Sequence, residues 1–366
     1  MTITLIFFTV IYCIIIAIFI VGWYAIPIYK RPLKSNQLPA LSVIICCRNE
    51  AENLPALIAS LKAQSFQNFE MIFANDHSTD NSMEILENFR QIQPNVHIVN
   101  CVGTGKKNAQ REAIAVATNS IVFCCDADCI LPKQLLETVA AYHNEHRPDL
   151  LIGGVKYEQK NSFHAIQACE FGSLVASAAG SCGTKMPILC NGANLSFPVE
   201  IWRKYAQNLH LEATSGDDMF LLQNIKRNNG KIAFLKTEDT FVTTQPTKNL
   251  SDFFNQRKRW SAKTTLYDDW QSIFVAITVF GWCLVWLCAV IMAIFSDKFG
   301  LLVAICWGIK LLFDSALLVP FFLFSGQKQI LPYIIPTALI YPPYIVYTAL
   351  SSLFSSFVWK GKITKR

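Results

Sequence analysis

Four stretches of this chain are apolar for long enough to enter a bilayer, which takes about 20 residues of helix, and they lie at its two ends. They run from Ile3 to Ile26, Ile273 to Phe295, Phe299 to Phe324 and Ile330 to Phe357. The middle has the composition of an ordinary globular domain, so the chain reads as one sizeable soluble domain held by membrane segments. Overall 52% of its 366 residues are apolar, high for a soluble enzyme of that length. The first stretch lacks a basic leader and is too long for a signal peptide. Lys30, Arg31 and Lys34 follow it and place the middle domain in the cytoplasm by the positive-inside rule. The last stretch is interrupted by Pro332, Pro336, Pro342 and Pro343. Three full spans after a cytoplasmic domain would put the C-terminus outside, yet Lys360, Lys362, Lys365 and Arg366 are basic and prefer the cytoplasm. A re-entrant or broken final segment reconciles the two. The expectation is an integral protein of the cell (inner) membrane with its soluble domain cytoplasmic.

The net charge of +6 fits a protein resting against anionic lipid. No basic run with interleaved aromatics occurs in the soluble part, so no nucleic-acid partner is expected. The 13 cysteines do not suggest disulfides. Cys46, Cys47, Cys124 and Cys125 sit in strand-like apolar runs, where cysteine serves as a small hydrophobe in a reduced compartment. Cys124, Cys125 and Cys129 could approach a zinc site but lack the C-x2-C pairing.

The middle domain alternates apolar runs with helical stretches. Leu41 to Cys47 is of buried-strand type, followed by Arg48-Asn49-Glu50 and a helix to about Gln64. A second strand, Phe69 to Ala74, ends at Asn75-Asp76, and a helix continues to about Ile92. Val96 to Val99 is a short strand before Gly103 to Lys107 and another helix. Ile121 to Cys125 is a fourth strand, ending at Asp126-Ala127-Asp128. Alternation of this kind predicts an α/β fold with a mostly parallel, Rossmann-like sheet. Ligands of such sheets bind beyond the carboxyl ends of the strands, where this sequence places its polar residues. Further on, Asn191 to Asn194 predicts a loop, and Thr214 to Asp218 a helix start.

Asp126-Ala127-Asp128 is a D-x-D at a strand end. Alternate residues of extended chain share a side, and two carboxylates there suit Mg2+ or Mn2+. Most isolated D-x-D matches are merely solvated turns. Asp76-His77-Ser78-Thr79-Asp80 either caps the next helix or offers Asp76 to a nucleotide base. Gly105-Lys106-Lys107 lies at a loop-to-helix junction and could meet a phosphate, although the Walker spacing is missing; otherwise it is a solvated basic turn. Asp217-Asp218 are adjacent acids at a helix start. They could supply a general base, since neighbouring carboxylates raise one another's pKa, but such pairs are commonly inert. Leu250, Phe253, Phe254, Arg257 and Trp260 share one helical face, which predicts an amphipathic helix in the membrane interface; the bland reading of Gln256-Arg257-Lys258-Arg259-Trp260 is a basic stop before a membrane span, with an interfacial aromatic. Lys310 and Asp314 are intramembrane charges or a self-neutralising pair. His143 and His146, three apart, fit a solvated helix face better than a metal site.

The ordered set resembles the family 2 glycosyltransferases of GT-A fold. The set comprises Val43 to Glu50, Asn75-Asp76 to Asp80, Gly105-Lys106, Asp126-Ala127-Asp128, Asn191 to Asn194, Gly216-Asp217-Asp218 and Gln256 to Trp260. The last is similar to the Q-x-x-R-W of polysaccharide synthases and ceramide glucosyltransferases. The resemblance covers roughly residues 40 to 265 and implies a domain plan: an anchor over 1–29, a GT-A domain over 36–248, the interface helix with Q-x-x-R-W over 249–269 and a membrane region over 272–360. It also implies roles. Asp76, with Asp80 and Glu50, would bind the nucleotide-sugar donor. Asp126 and Asp128 would hold Mg2+ or Mn2+ and the diphosphate with Lys106. Asp218, beside Asp217, would be the catalytic base; Asn191, Gly192 and Trp260 would face the acceptor; Gln256, Arg259 and Trp260 would close over the diphosphate. Cys46 stands where the family has proline, and Asn75 and His77 also depart from its pattern. The reaction implied is an inverting transfer from a nucleoside diphosphate sugar, UDP-linked before GDP-linked, to a lipid, lipid-linked or polysaccharide acceptor. A nucleotidyltransferase acting on a sugar phosphate, and a non-catalytic scaffold or transporter component, are the rival readings.

Overall fold

In a computed structural model of the protein, which describes residues 1–31, 37–206, 216–354, 357–359 and 362–364, the chain forms two compact units. Lys34, Thr214, Ser215, Lys360, Lys365 and Arg366 lie outside the described residues. One unit holds helix α1 (Thr2–Ala25), residues 159–189 and residues 246–366; the other holds residues 27–158 and 190–245.

The second unit is built on a sheet. Its strands are β1 (Leu41–Cys47), β2 (Phe69–Asn75), β3 (Val96–Asn100), β4 (Ile121–Asp126), β5 (Leu150–Gly153), β7 (Leu195–Pro198) and β8 (Ile232–Leu235), in the order β3-β2-β1-β4-β7-β5-β8. The first four run parallel, and β7 is antiparallel to both its neighbours, β4 and β5. The mostly parallel α/β fold expected from the sequence is therefore present. Largely apolar runs produce it: β2 is buried at every position, Glu70 included, and β1 at all but Cys46, as strands covered on both faces must be. Helices α2 (Leu54–Lys62), α3 (Ser82–Ile92), α4 (Lys106–Ala115) and α5 (Leu135–His146) supply the connections, and β6 (Val155–Tyr157) pairs with β9 (Val242–Thr244) in a separate two-stranded sheet.

Glu70 and His143 are among the polar groups buried within this unit. The Glu70 carboxylate accepts from Ser42 Oγ at 2.5 Å and from the amide and hydroxyl of Thr118. Burial raises its pKa, but these bonds outweigh burial and hold it below the usual value. His143 corrects an expectation. It is not on a solvated face but buried, with Nε2 2.9 Å from Ser196 Oγ on β7. Burial lowers its pKa to about 4, so it is a neutral core group.

The first unit is helical. Beside α1 it contains α6 (Ser162–Gly183), α9 (Leu250–Ala262), α10 (Trp270–Ala293), α11 (Asp297–Phe324) and α12 (Ile334–Phe354). Among the described residues four segments are long and apolar enough to cross a membrane: 2–25, 270–293, 299–324 and 328–352. Of the four prolines expected to interrupt the last stretch, Pro332 lies in a six-residue 3-10 turn, Lys328–Tyr333, ahead of α12, whereas Pro336, Pro342 and Pro343 lie within α12, which runs unbroken. Lys310 and Asp314 form an ion pair, extended by Tyr12 Oη donating to Asp314 at 2.8 Å. The Lys310 ammonium also lies over the rings of Tyr12, Trp282 and Tyr341, at 4.8, 5.1 and 5.3 Å. Four helices thus share one neutralised polar cluster.

Helix α6 falls inside the stretch 36–248, yet it groups with the apolar helices, and its packing on α1 rests on glycine. A Cβ on Gly180 would stand 2.4 Å from the carbonyl oxygen of Phe19, and one on Gly22 would stand 1.8 Å from that of Gly180. Backbone meets backbone there, as small residues permit between membrane helices. Gly180→Val is expected to lower stability by about 3 kcal/mol, because neither backbone can yield as a side chain would. Thermal unfolding in detergent measures this; an unchanged midpoint would show that the two helices are free to separate.

Candidate active site

The polar residues of the sheet unit gather at the carboxyl ends of its parallel strands. After β1 and β2 the chain enters the left-handed region at Asn49 (φ 53°) and His77 (φ 58°), conformations that non-glycine residues adopt only where surroundings impose them. The two loops hold each other. Asn49 N donates to Ser78 Oγ at 3.1 Å, and Thr79 N donates to Asn49 Oδ1 at 2.7 Å. Asp80 accepts from the backbone amides of Ala51 and Ser82, both at 3.0 Å, so its carboxylate braces the loops. Glu50 accepts from Asn53 Nδ2 at 2.7 Å.

Asp76 is 2% exposed and well supplied with donors. Its Oδ2 accepts from Arg48 Nη1 at 3.3 Å and from Gly105 N at 3.0 Å, and Oδ1 lies 3.2 Å from His77 Nδ1. A carboxylate has about four lone-pair sites, so capacity remains on Oδ1. Arg48 was not singled out in the sequence; its one signal was a cation within the strand-end tripeptide.

Gly105 takes φ 95° at the start of α4, a conformation suited to glycine, and delivers Lys106 to the end of β4. Lys106 Nζ is hydrogen-bonded and ion-paired to Asp126 Oδ1. Burial lowers the pKa of Lys106, but Asp126 and Asp217 together outweigh it and hold the ammonium well above its usual range. On the far side lies Gly192. A Cβ there would stand 3.8 Å from both Lys106 Nζ and Asp218 Oδ2, and Gly192 N donates to Asp218 Oδ2 at 3.2 Å. Asp217 and Asp218 open α8 (Asp217–Arg227), after Gly216 at φ 100°, where the helix dipole favours negative charge. The neighbouring Asn191 Oδ1 accepts from Ala193 N at 2.9 Å. Asn194 is buried and fixes this loop, its Nδ2 donating to the carbonyls of Gly154 and Thr240. Four distant stretches of sequence, ending β4, opening α4, opening α8 and forming the 191–194 loop, therefore meet around one ammonium.

Asp128 follows at the end of the D-x-D. Burial, then Asp126, then Glu50 raise its pKa to about 7; Thr244 and Lys106 act in the opposite direction. A carboxyl pushed up by two other carboxylates is a place where added positive charge is favourable. Among the described residues no group of three or more His, Cys, Asp or Glu side chains closes on one point. Two carboxylates suffice for a hard cation whose other ligands are waters and substrate phosphates. The donor set thus fits Mg2+ or Mn2+ bound together with a diphosphate. Cys124, Cys125 and Cys129 are buried beneath, all with thiol pKa values raised chiefly by burial, Cys124 to about 12.

Gln256, Arg259 and Trp260 belong to the other unit, on α9. The buried residue of that helix is Arg257, paired with Glu170 of α6. Sequence reading did not select Glu170, which is 87 residues away and carries no local motif.

Comparison with known proteins agrees with this architecture. The family description "Glycosyl transferase family 2" matches residues 42–193, and "Glycosyl transferase family group 2" matches residues 121–355, more than half of the chain. Poly-beta-1,6-N-acetyl-D-glucosamine synthase of Staphylococcus aureus (strain COL) is 27% identical over 154 residues, 40% of this chain and 36% of that protein. The synthase of Staphylococcus epidermidis is 27% identical over 145 residues, 38% of this chain and 34% of that protein. The chain thus spans little more than a third of the length of these curated relatives. A mannosyltransferase of Pyrobaculum calidifontis, solved with GDP-Man and Mn2+, shares the fold with a TM-score of 0.64 at 13% identity, over 96% of this chain and 99% of that one. With its GT-A sheet, its strand-end acids and a family match over more than half its length, the chain belongs to the family 2 glycosyltransferases.

Proposed function

We propose that the protein is an inverting glycosyltransferase that moves a sugar from a nucleoside diphosphate donor to a lipid, lipid-linked or polysaccharide acceptor at the cytoplasmic face of the cell membrane. The observation that carries this reading is the meeting of Lys106, Asp126, Asp217, Asp218 and Gly192 at the ends of the strands. That arrangement holds a cation for a leaving diphosphate within reach of a carboxylate base. A UDP-sugar is the favoured donor, supported by the likeness to N-acetylglucosamine polymer synthases; GDP-mannose is the second choice, supported by the mannosyltransferase fold.

In this reading Asp76 takes an N–H of the donor base on Oδ1, which also faces His77, while Arg48 and Gly105 N fix the carboxylate. Asp126 and Asp128 hold Mg2+ or Mn2+, which neutralises charge on the diphosphate when bound. Lys106 adds a fixed ammonium at the same place, positioned before the reaction begins. Asp218 takes the acceptor hydroxyl proton as its oxygen attacks the anomeric carbon, and the nucleoside diphosphate departs from the opposite face. Gly192 and Asn191 line the acceptor side. Gln256, Arg259 and Trp260 act on the diphosphate and acceptor, with α9 in the membrane interface.

A donor screen on membranes containing the protein tests this. UDP-GlcNAc, UDP-glucose and GDP-mannose are supplied with Mn2+ or Mg2+, and the released nucleotide and the product are measured by mass. Release of UDP or GDP with a glycosylated product is expected. Release of pyrophosphate instead would favour nucleotidyl transfer and overturn the proposal.

A further inference from the structure

We infer that Glu170 and Arg257 are positioning residues for the transfer: one buried ion pair sets the orientation of Gln256 and Trp260. The inference rests on the reading that those two residues act on the substrates, and it adds Glu170, outside the Q-x-x-R-W motif, and Arg257, at one of its variable positions.

The pair is almost closed to solvent, with side-chain exposures of 3% for Arg257 and 6% for Glu170. The guanidinium grips both carboxylate oxygens. Its Nη2 donates to Oε2, and its Nε donates to Oε1 at 3.3 Å. Tyr344 of α12 donates its hydroxyl to the same Oε1 at 3.0 Å. Three helices, α6, α9 and α12, therefore converge on one carboxylate. The third arm of Arg257, Nη1, donates to Gln256 Oε1 and so decides which end of that amide accepts. The flat face of the guanidinium lies 4.3 Å from the Trp260 ring and 4.7 Å from that of Phe253. Trp260 is three residues on from Arg257, one turn along the same face, and Phe171, the residue after Glu170, has its ring centroid 6.1 Å from that of Trp260.

The energetics argue that orientation, not stability, is the purpose. Two ions removed from water each cost several kcal/mol, and well-packed neutral residues commonly hold helices together as firmly as a buried ion pair. What a neutral pair cannot reproduce is the planar fork, which fixes a carboxylate, an amide and an aromatic face at once. All three directions of the guanidinium are used, and two of them end on residues of the motif.

The experiment uses the full chain in membranes, labelled with 5-fluorotryptophan and supplied with Mn2+ and UDP-GlcNAc, or GDP-mannose if that is the donor turned over. Glu170→Gln alone would remove the carboxylate charge from beside a buried guanidinium and threatens folding. The informative variant is therefore the neutral pair Glu170→Gln with Arg257→Gln. Arg257→Lys, which keeps the charge and loses the fork, is the milder second variant. Trp260→Phe assigns one of the eight tryptophan signals. In both variants the Trp260 signal is expected to move or split while the others hold. Turnover is expected to fall about tenfold or more, as misplacement of a substrate-facing group does, with KM for the donor nearly constant. If the neutral pair folds and turns over like the unaltered protein, or the Trp260 signal does not move, the inference fails. If Gln256→Ala and Trp260→Phe themselves keep full turnover, the reading beneath it fails instead, and the Trp260 signal would then move at no kinetic cost.

Discussion

Asp218→Asn is expected to lower turnover about a thousandfold, within the range a positioned general base contributes, while leaving donor binding unchanged. The substitution is nearly isosteric. The carboxylate now accepts from Gly192 N on Oδ2 at 3.2 Å and from Met219 N on Oδ1 at 2.8 Å; the single oxygen of the amide can keep one of these bonds and gives up the other. Helix α8 keeps its start, and Lys106 keeps Asp126 and Asp217 as partners. What disappears is the ability to take a proton from the acceptor hydroxyl. Single-turnover release of nucleoside diphosphate, beside a titration of the donor, separates the two effects. Turnover within about threefold of the unaltered protein would remove Asp218 from the role of base, since so small a change is under 1 kcal/mol of barrier. Asp217→Asn is the natural comparison, for Asp217 acts on the charge of Lys106 rather than on the acceptor.

The second large effect concerns Asp128, and it has two opposite parts. Turnover of Asp128→Asn at fixed Mn2+ is expected to fall by about a hundredfold or more, as loss of a ligand to a catalytic cation does, and added metal is expected to restore part of it. Chelation of the unaltered protein is expected to abolish transfer, and Mn2+ or Mg2+ to restore it. Stability in chelator is expected to move the other way. Asp128 is buried beside Asp126 and Glu50, and its pKa is raised to about 7 by burial and by those neighbours. Near neutral pH the folded protein therefore holds a carboxyl at a cost, and the amide removes that cost. The unfolding midpoint without metal is expected to rise by about 2 °C, the shift that a fraction of a kcal/mol to one produces in a chain of this size. A midpoint that falls, with transfer unchanged by chelator, would mean that Asp128 is a structural group and holds no cation.

Much of the sheet unit was legible because its signals are local. β1, β2 and β4 are largely apolar runs, broken by Ser42 in β1 and Glu70 in β2, and each is followed at once by the polar residues that the fold gathers. Strand order beyond β4 was not legible. β7 is four residues long, and its place between β4 and β5 is set by a pairing no spacing announces. His143 was misread because its partner Ser196 lies 53 residues away; a histidine on a short helix gives no hint of which face is covered. Helix α6 escaped notice for a different reason. Gln167, Glu170 and His164 break its hydropathy, while its association with α1 depends on Gly180 and Gly183. Close approach of backbones leaves a trace of small residues, which composition alone does not distinguish from an ordinary loop or helix. In the site, Asp126, Asp128, Asp218 and Lys106 were found as motif residues, but the sequence does not reveal that Gly192 lies beside both the Lys106 ammonium and the Asp218 carboxylate.

The order of strands in the sheet also bears on how the protein is made. Among the described residues β5 pairs with β7 and β8, both of which leave the ribosome later. Some forty residues separate the end of β5 from the start of β7, which at 5–20 residues per second is on the order of several seconds of synthesis. During that interval the β4 edge, later covered by β7, stands open as a template for unwanted pairing. The nascent chain passes through that delay with β1 to β4 already made.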